Sequence, residues 1–288
     1  VLTNIFPLEA TAALSKFVFF FALSAMLFRF SANLSLSEIF DLPFIAAYLC
    51  GTMLIYLLAT LVAIIRRKGM QEAAIEAQCA VIGNVGFLGI PVFILLLGPQ
   101  SIGPIMLALA VDLILFSSLV VILITIGRDD RISFAVFKKV VLGLLKNPMV
   151  VSITLGILWA YFKLPIPKPM NDFLDTLGSA AAPGALFAIG ASLAGKSAGQ
   201  IKVASWLSFC KLALHPAAVA FFALYIFDVE PYAAGVMIAL AALPVAGNVY
   251  IIAQHYNVAP KRASAAILIS TVISIVTLTI ILKYVMPF

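Results

Sequence analysis

Apolar stretches of about twenty residues alternate along the chain with short polar breaks. Windows of that length place helices near 12–30, 43–66, 72–97, 102–127, 140–161, 171–194, 203–227, 232–255 and 263–285. At 1.5 Å per residue, about 20 apolar residues wound as a helix match a hydrocarbon core roughly 30 Å thick. Backbone polar groups in lipid must be satisfied within the protein, which leaves helices or a closed barrel, and these runs are too long and too evenly apolar for barrel strands. The expected fold is all-α, a polytopic bundle embedded in the lipid bilayer.

Composition agrees with the pattern. The chain is 64% hydrophobic and 10% charged, against about 45–50% and 25% for soluble domains. A water-soluble globule of 288 residues would lack the charge to cover its surface, which excludes a cytosolic enzyme, a secreted disulfide scaffold and a disordered chain. The spans use nearly the whole length and leave no room for a soluble catalytic domain.

The formal charge of +6 is not gathered into a basic stripe, so no nucleic-acid partner is expected. It falls between alternate spans: Arg66, Arg67 and Lys68; Arg128, Arg131, Lys138 and Lys139; Lys196 and Lys202; Lys261 and Arg262. The intervening connections hold only the acids Glu38, Asp41, Asp228 and Glu230, with Lys163 and Lys168 against the trend. The positive-inside rule then puts the Val1 end in the cytoplasm and Phe288 outside, in a multi-pass protein of the cell inner (plasma) membrane. Cys50, Cys79 and Cys210 lie within apolar runs, and with His215 and His255 they share no metal-ligand spacing, so neither a metal nor a cofactor is expected.

An internal repeat organises the spans. Gly83-Asn84-Val85 recurs as Gly247-Asn248-Val249, an offset of 164, which also carries 43–66 onto 207–230 and 102–127 onto 266–291. Ala25-Met26-Leu27-Phe28 similarly resembles Gly184-Ala185-Leu186-Phe187. Spans paired in this way run in opposite directions, which is inverted-repeat geometry. The span at 140–161 has no partner, since its counterpart would precede Val1. The expectation is a first repeat over 1–135 lacking its first helix and a second over 136–288; an asymmetric nine-span protein is the alternative.

The two spans sharing Gly-Asn-Val are interrupted in their apolar middles, with Pro91 and Pro244 as expected helix-breaking positions. Interrupted spans at matching positions of two halves point to a transporter's binding site, and half-helix N-termini suit an anion. The candidate substrate-binding residues are Gly83, Asn84, Val85 and Gly86 from one span and Pro244, Val245, Ala246, Gly247 and Asn248 from the other. The asparagines would offer uncharged donors to a carboxylate. The competing reading makes the glycines a close-packing face and the asparagines glue between helices.

Asp112, inside its span, is either a proton or sodium coupling site or a protonated residue hydrogen-bonded to a neighbouring helix. Lys211 and His215, four apart on one helix face, either attract an anion and shuttle protons, or Lys211 snorkels or pairs locally. Glu72 and Glu76 suit the start of a helix at the cytoplasmic surface, with a coupling role as the alternative. Arg29 reads as an interface anchor, and the small residues 178–184 as a face along which a moving domain slides. No histidine–glutamate metal motif or paired catalytic aspartates lie within the spans, so an enzyme is not expected.

The residues Gly83-Asn84-Val85-Gly86-Phe87-Leu88-Gly89-Ile90-Pro91, the segment from Leu243-Pro244 to Ala259-Pro260, and Lys146-Asn147-Pro148 entering a helix resemble the auxin efflux carrier family. The resemblance implies ten helices in a five-plus-five inverted repeat, the fourth and ninth crossing at unwound centres. It implies a substrate carboxylate beside Asn84 and efflux of auxin-like or malonate-like carboxylates by elevator-type alternating access. A transport domain of about 43–127 and 203–285 would move against a homodimeric scaffold of about 12–30 and 140–194. Gly83 stands where that family usually has proline, and the long central loop of the plant members is missing. A sodium- or proton-coupled carboxylate carrier of related fold and a non-transporting membrane sensor are the alternatives.

Overall fold

The computed structural model describes residues 8–33, 41–129, 145–181 and 201–285, together with positions 138, 141–143, 183, 184 and 187. Both chain ends, the part of the 171–194 span beyond 187, and Arg131, Lys139 and Lys196 lie outside the described residues.

Helix starts follow from local chemistry. Asp41 opens α2 (Leu42–Ile65) by accepting the Phe44 N–H at 3.0 Å, with Pro43 in the first turn. An N-cap oxygen satisfies an amide the helix cannot, and proline there has no amide to waste. The same logic corrects the span expected at 140–161. Asn147 accepts from Met149 N at 3.0 Å and Pro148 follows, so a new helix begins at Pro148.

The described helices are α1 (8–32), α2, α3 (Met70–Val81), α4 (85–97), α5 (102–129), α6 (Pro148–Tyr161), α7 (Lys168–Ser179), α8 (201–226), α9 (Pro231–Ala241), α10 (Gly247–His255) and α11 (Pro260–Val285). Among the described residues no strand forms. Four segments of the described residues are long and apolar enough to cross a membrane: Leu42–Ile65, Pro99–Gly127, Ile201–Ile226 and Pro260–Tyr284.

Packing sorts the helices into two groups. In the first, α6 and α7 lie against α1. A Cβ on Gly156 would fall 2.7 Å from the Phe28 carbonyl oxygen, and one on Gly178 3.1 Å from Met26 Cα. Arg29 clamps the same pair of helices, reaching Asp175 at 2.5 Å and Asn171 at 3.1 Å. Arg29 is thus a tie between helices, and Gly178 packs α7 onto α1 inside this group.

The second group comprises α2–α5 and α8–α11. Its α2 and α8 touch backbone to backbone, since a Cβ on Gly51 would lie 2.8 Å from Val219 Cα. Glu76 is buried, contrary to a surface position, because Arg66 and Arg262 hold its carboxylate at 2.7 and 2.5 Å. Arg262 also lies 3.3 Å from Glu72, which Lys68 approaches at 3.6 Å. These ion pairs join α2, α3 and α11 and put two of the basic connections, after α2 and before α11, at one end of the molecule.

Candidate functional site

Both interrupted spans are broken, and the breaks meet. α3 ends at Val81, Ile82 is extended, and Asn84 (φ −76°, ψ 56°) is the centre of an inverse γ-turn closed by Val85 N to the Gly83 carbonyl at 2.8 Å. In the other half α9 ends at Ala241 and α10 begins at Gly247. Asn84 N donates to the Pro244 carbonyl at 2.8 Å and Ala246 N to the Ile82 carbonyl at 3.0 Å, with Gly83 and Val245 facing each other in antiparallel register. Each break thereby satisfies groups the other leaves open, the condition for unwound backbone at membrane depth. Ser270 of α11, not anticipated from the sequence, accepts the Val245 N–H at 3.0 Å.

Only one expected helix-breaking proline marks a break. Pro244 lies within 242–246, where it disfavours helix in the residue before it. Pro91 stands in the first turn of a regular segment, Ile90–Leu97, well after the break at 82–84. The wide π turn Val85–Gly89 directly precedes it, so the amide that proline lacks falls where the ladder already changes register. The two Gly-Asn pairs also differ in place: Gly83-Asn84 is in the unwound stretch, whereas Gly247-Asn248 is the first turn of α10.

Around these paired breaks the structure gathers Gly83, Asn84, Val85, Gly86, Ala246, Asn248 and Asp112 on one small cavity. Pro244 and Val245 belong to the break and Gly247 to the first turn of α10, and none of the three lines the cavity. Neither half-helix carries a side-chain cap, which leaves first-turn amides and positive dipole ends beside the cavity. Among the described residues neither asparagine side chain makes a hydrogen bond, so both amides are open to a ligand. The cavity holds about 20 Å³ of space for water centres, room for about one water. A carboxylate therefore requires it to widen. Met149 of α6 is one wall, and Gly86 faces both Leu23 of α1 and Met149. The cavity thus lies where the two helix groups meet.

Behind it runs a buried polar chain. Asp112 accepts from the Tyr48 hydroxyl at 3.0 Å. Lys211 donates to the Ala241 carbonyl, approaches His215 Nδ1 at 3.1 Å and lies just beneath Gly83, whose Cβ would come 3.3 Å from its Nζ. His215 Nε2 meets Thr52 Oγ1 at 3.0 Å. Lys211 is wholly enclosed and does not snorkel. Its ammonium caps the Ala241 carbonyl at the C-terminus of α9, where a cation is favoured. Asp112 and Lys211 each begin or lie within π turns, Asp112–Phe116 and Cys210–Leu214. Tyr48 and Thr52 were missed from sequence, although their spacing of four puts them on one face of α2.

A family model described as membrane transport protein matches residues 1–282. A protein of Rhizobium meliloti (strain 1021) described as "Putative malonate transporter" is 29% identical over 280 residues, 95% of this chain and 86% of that protein. With its broken helices and apolar spans in place, and the family match running over nearly its whole length, the chain belongs to the membrane transport protein family, that of the auxin efflux carriers.

Proposed function

We propose that the protein is a secondary carrier that exports small organic anions of the malonate type, binding a carboxylate between Asn84 and Asn248 at the crossing of its two broken helices. The observation that carries this reading is the pair of unengaged asparagine amides beside two uncapped half-helix N-termini. The Nδ2 groups of the asparagines donate and the helix ends are positive, and together they hold an anion without a fixed ion pair, which allows release. The relative described as a malonate transporter supports the substrate class.

In this reading α1, α6 and α7 are the scaffold, through which two copies dimerise, and the remaining helices are the transport domain of a five-plus-five inverted repeat. Met149 supports an elevator motion, because displacing α6 relative to α4 widens the cavity it closes. The end bearing Arg66 and Arg262 faces the cytoplasm of the cell across its plasma membrane.

The test is counterflow of labelled malonate into liposomes holding the purified protein, with binding measured in parallel. Exchange that requires internal malonate is expected. Asn84→Ala should weaken binding about tenfold to a hundredfold, since a hydrogen bond to a charged group is worth about 1.5–3 kcal/mol. Undiminished affinity in that variant would remove the site from Asn84, and binding without flux would make the protein a sensor.

A further inference from the structure

Three oxygens of residues that line the cavity have no hydrogen-bond partner among the described residues: Asn84 Oδ1, Asn248 Oδ1 and Asp112 Oδ2. Each is an acceptor closed off from solvent, an arrangement native proteins avoid. Asp112 alone can become a donor, by taking a proton on Oδ2.

Charge balance points the same way. The titratable groups facing Asp112 are Tyr48 on α2 and, from α8, Lys211 with His215 behind it. Lys211 has only protons to give, so His215 Nδ1 accepts from it, and Nε2 carries the ring proton toward Thr52. The imidazole is therefore neutral. α4 and α10 contribute neutral Asn84 and Asn248 to the cavity, and α6 contributes Met149. With Asp112 ionised and Lys211 charged, the buried groups sum to zero. A bound carboxylate makes the sum negative, and two carboxylates sharing one buried site do not both stay ionised.

We propose that Asp112 takes up one proton when a carboxylate binds between Asn84 and Asn248, so that the carrier moves the anion together with a proton. The inference rests on the anion site proposed above. One O–H bond forms on Asp112 Oδ2, the proton comes from bulk solvent and returns there when the anion leaves, and Lys211 keeps its charge throughout. The proton offsets the charge of the carboxylate held between the asparagines, a dicarboxylate's second carboxylate keeping its own charge, and the new hydroxyl supplies a donor that the cavity's orphaned oxygens lack.

The sign follows directly. The loaded state holds one more proton than the unloaded state, so affinity falls as pH rises. The experiment adds malonate, succinate or acetate to the full chain in weakly buffered detergent solution, between about pH 7 and 8.5, where carboxylic acids of this type are ionised. A pH indicator counts protons and calorimetry measures Kd, in sodium and in choline media.

Close to one proton per anion bound is expected, with Kd rising by up to about tenfold per pH unit in both media. Asp112→Asn should bind with a Kd that no longer changes with pH and take up no proton. Binding without proton uptake by the native chain, binding that follows sodium instead, or an unaltered pH slope in Asp112→Asn overturns the proposal. The native proton count decides even if that variant fails to fold. An Asn84→Ala variant that binds as tightly as the native chain overturns the anion site while leaving the proton count standing as a separate result. No binding of any of the three anions overturns both.

Discussion

Lys211 shows how a buried charge is stabilised here. Its ammonium has the Ala241 carbonyl, His215 Nδ1 and the charge of Asp112 around it, and it occupies the space that a side chain at Gly83 would need. Replacing one member of such a set leaves the others buried and unpaired, at a cost of about 3–5 kcal/mol. Lys211→Met is therefore expected to lower the unfolding temperature in detergent sharply, and Lys211→Met with Asp112→Asn to recover part of the loss. A double-mutant cycle over the two positions measures their coupling. Strict additivity would mean that the two charges do not sense each other. At this scale the sequence singled out Asp112, Lys211 and His215 but not the residues they contact. Tyr48 and Thr52 are ordinary residues of an apolar helix until α5 and α8 are placed against them.

Among elements, contact is closest where glycine permits it. Gly51 brings α2 onto the backbone of α8 at Val219, with no flexible side-chain end to yield. Gly51→Val should separate the two helices and destabilise the protein by about 1–3 kcal/mol. Gly69→Ala, where a Cβ meets nothing within 4 Å, should change stability by less than about 0.5 kcal/mol. Thermal unfolding of the two variants side by side checks the contrast. Most helices were legible because their length and hydropathy are set by the bilayer itself. The breaks were legible only through repetition of Gly-Asn-Val. Proline alone misled at Pro91, where a wide turn absorbs the missing amide, and the restart at Pro148 was hidden because the polar break Lys146-Asn147 is short beside the window of about twenty residues that averages over it.

For the molecule as a whole, the division into α1, α6 and α7 on one side and the other helices on the opposite side makes a claim about motion. Cysteines at Met26 and Gly178 join two helices of one group, whose Cβ positions would be 3.1 Å apart. Cysteines at Gly86 and Met149 span the two groups. In a background without Cys50, Cys79 and Cys210, oxidising the first pair should leave malonate exchange intact. Bridging the second with a short bifunctional reagent should stop it until the bridge is cleaved. Transport that survives the second bridge would exclude relative movement of the groups at this point.

The backbone pairing of Ile82 and Asn84 with Ala246 and Pro244 also sets a timetable for making the protein. The partners are about 160 residues apart, and at roughly 5–20 residues per second the ribosome needs about 8–30 seconds to deliver the second set. During that interval the first break has polar backbone groups that lipid cannot accept. The segment 82–84 has to wait in water or beside the insertion machinery. The part of the protein proposed to recognise substrate is thus among the last to be completed, and a chain interrupted before Pro244 carries an unfinished helix that quality control can recognise.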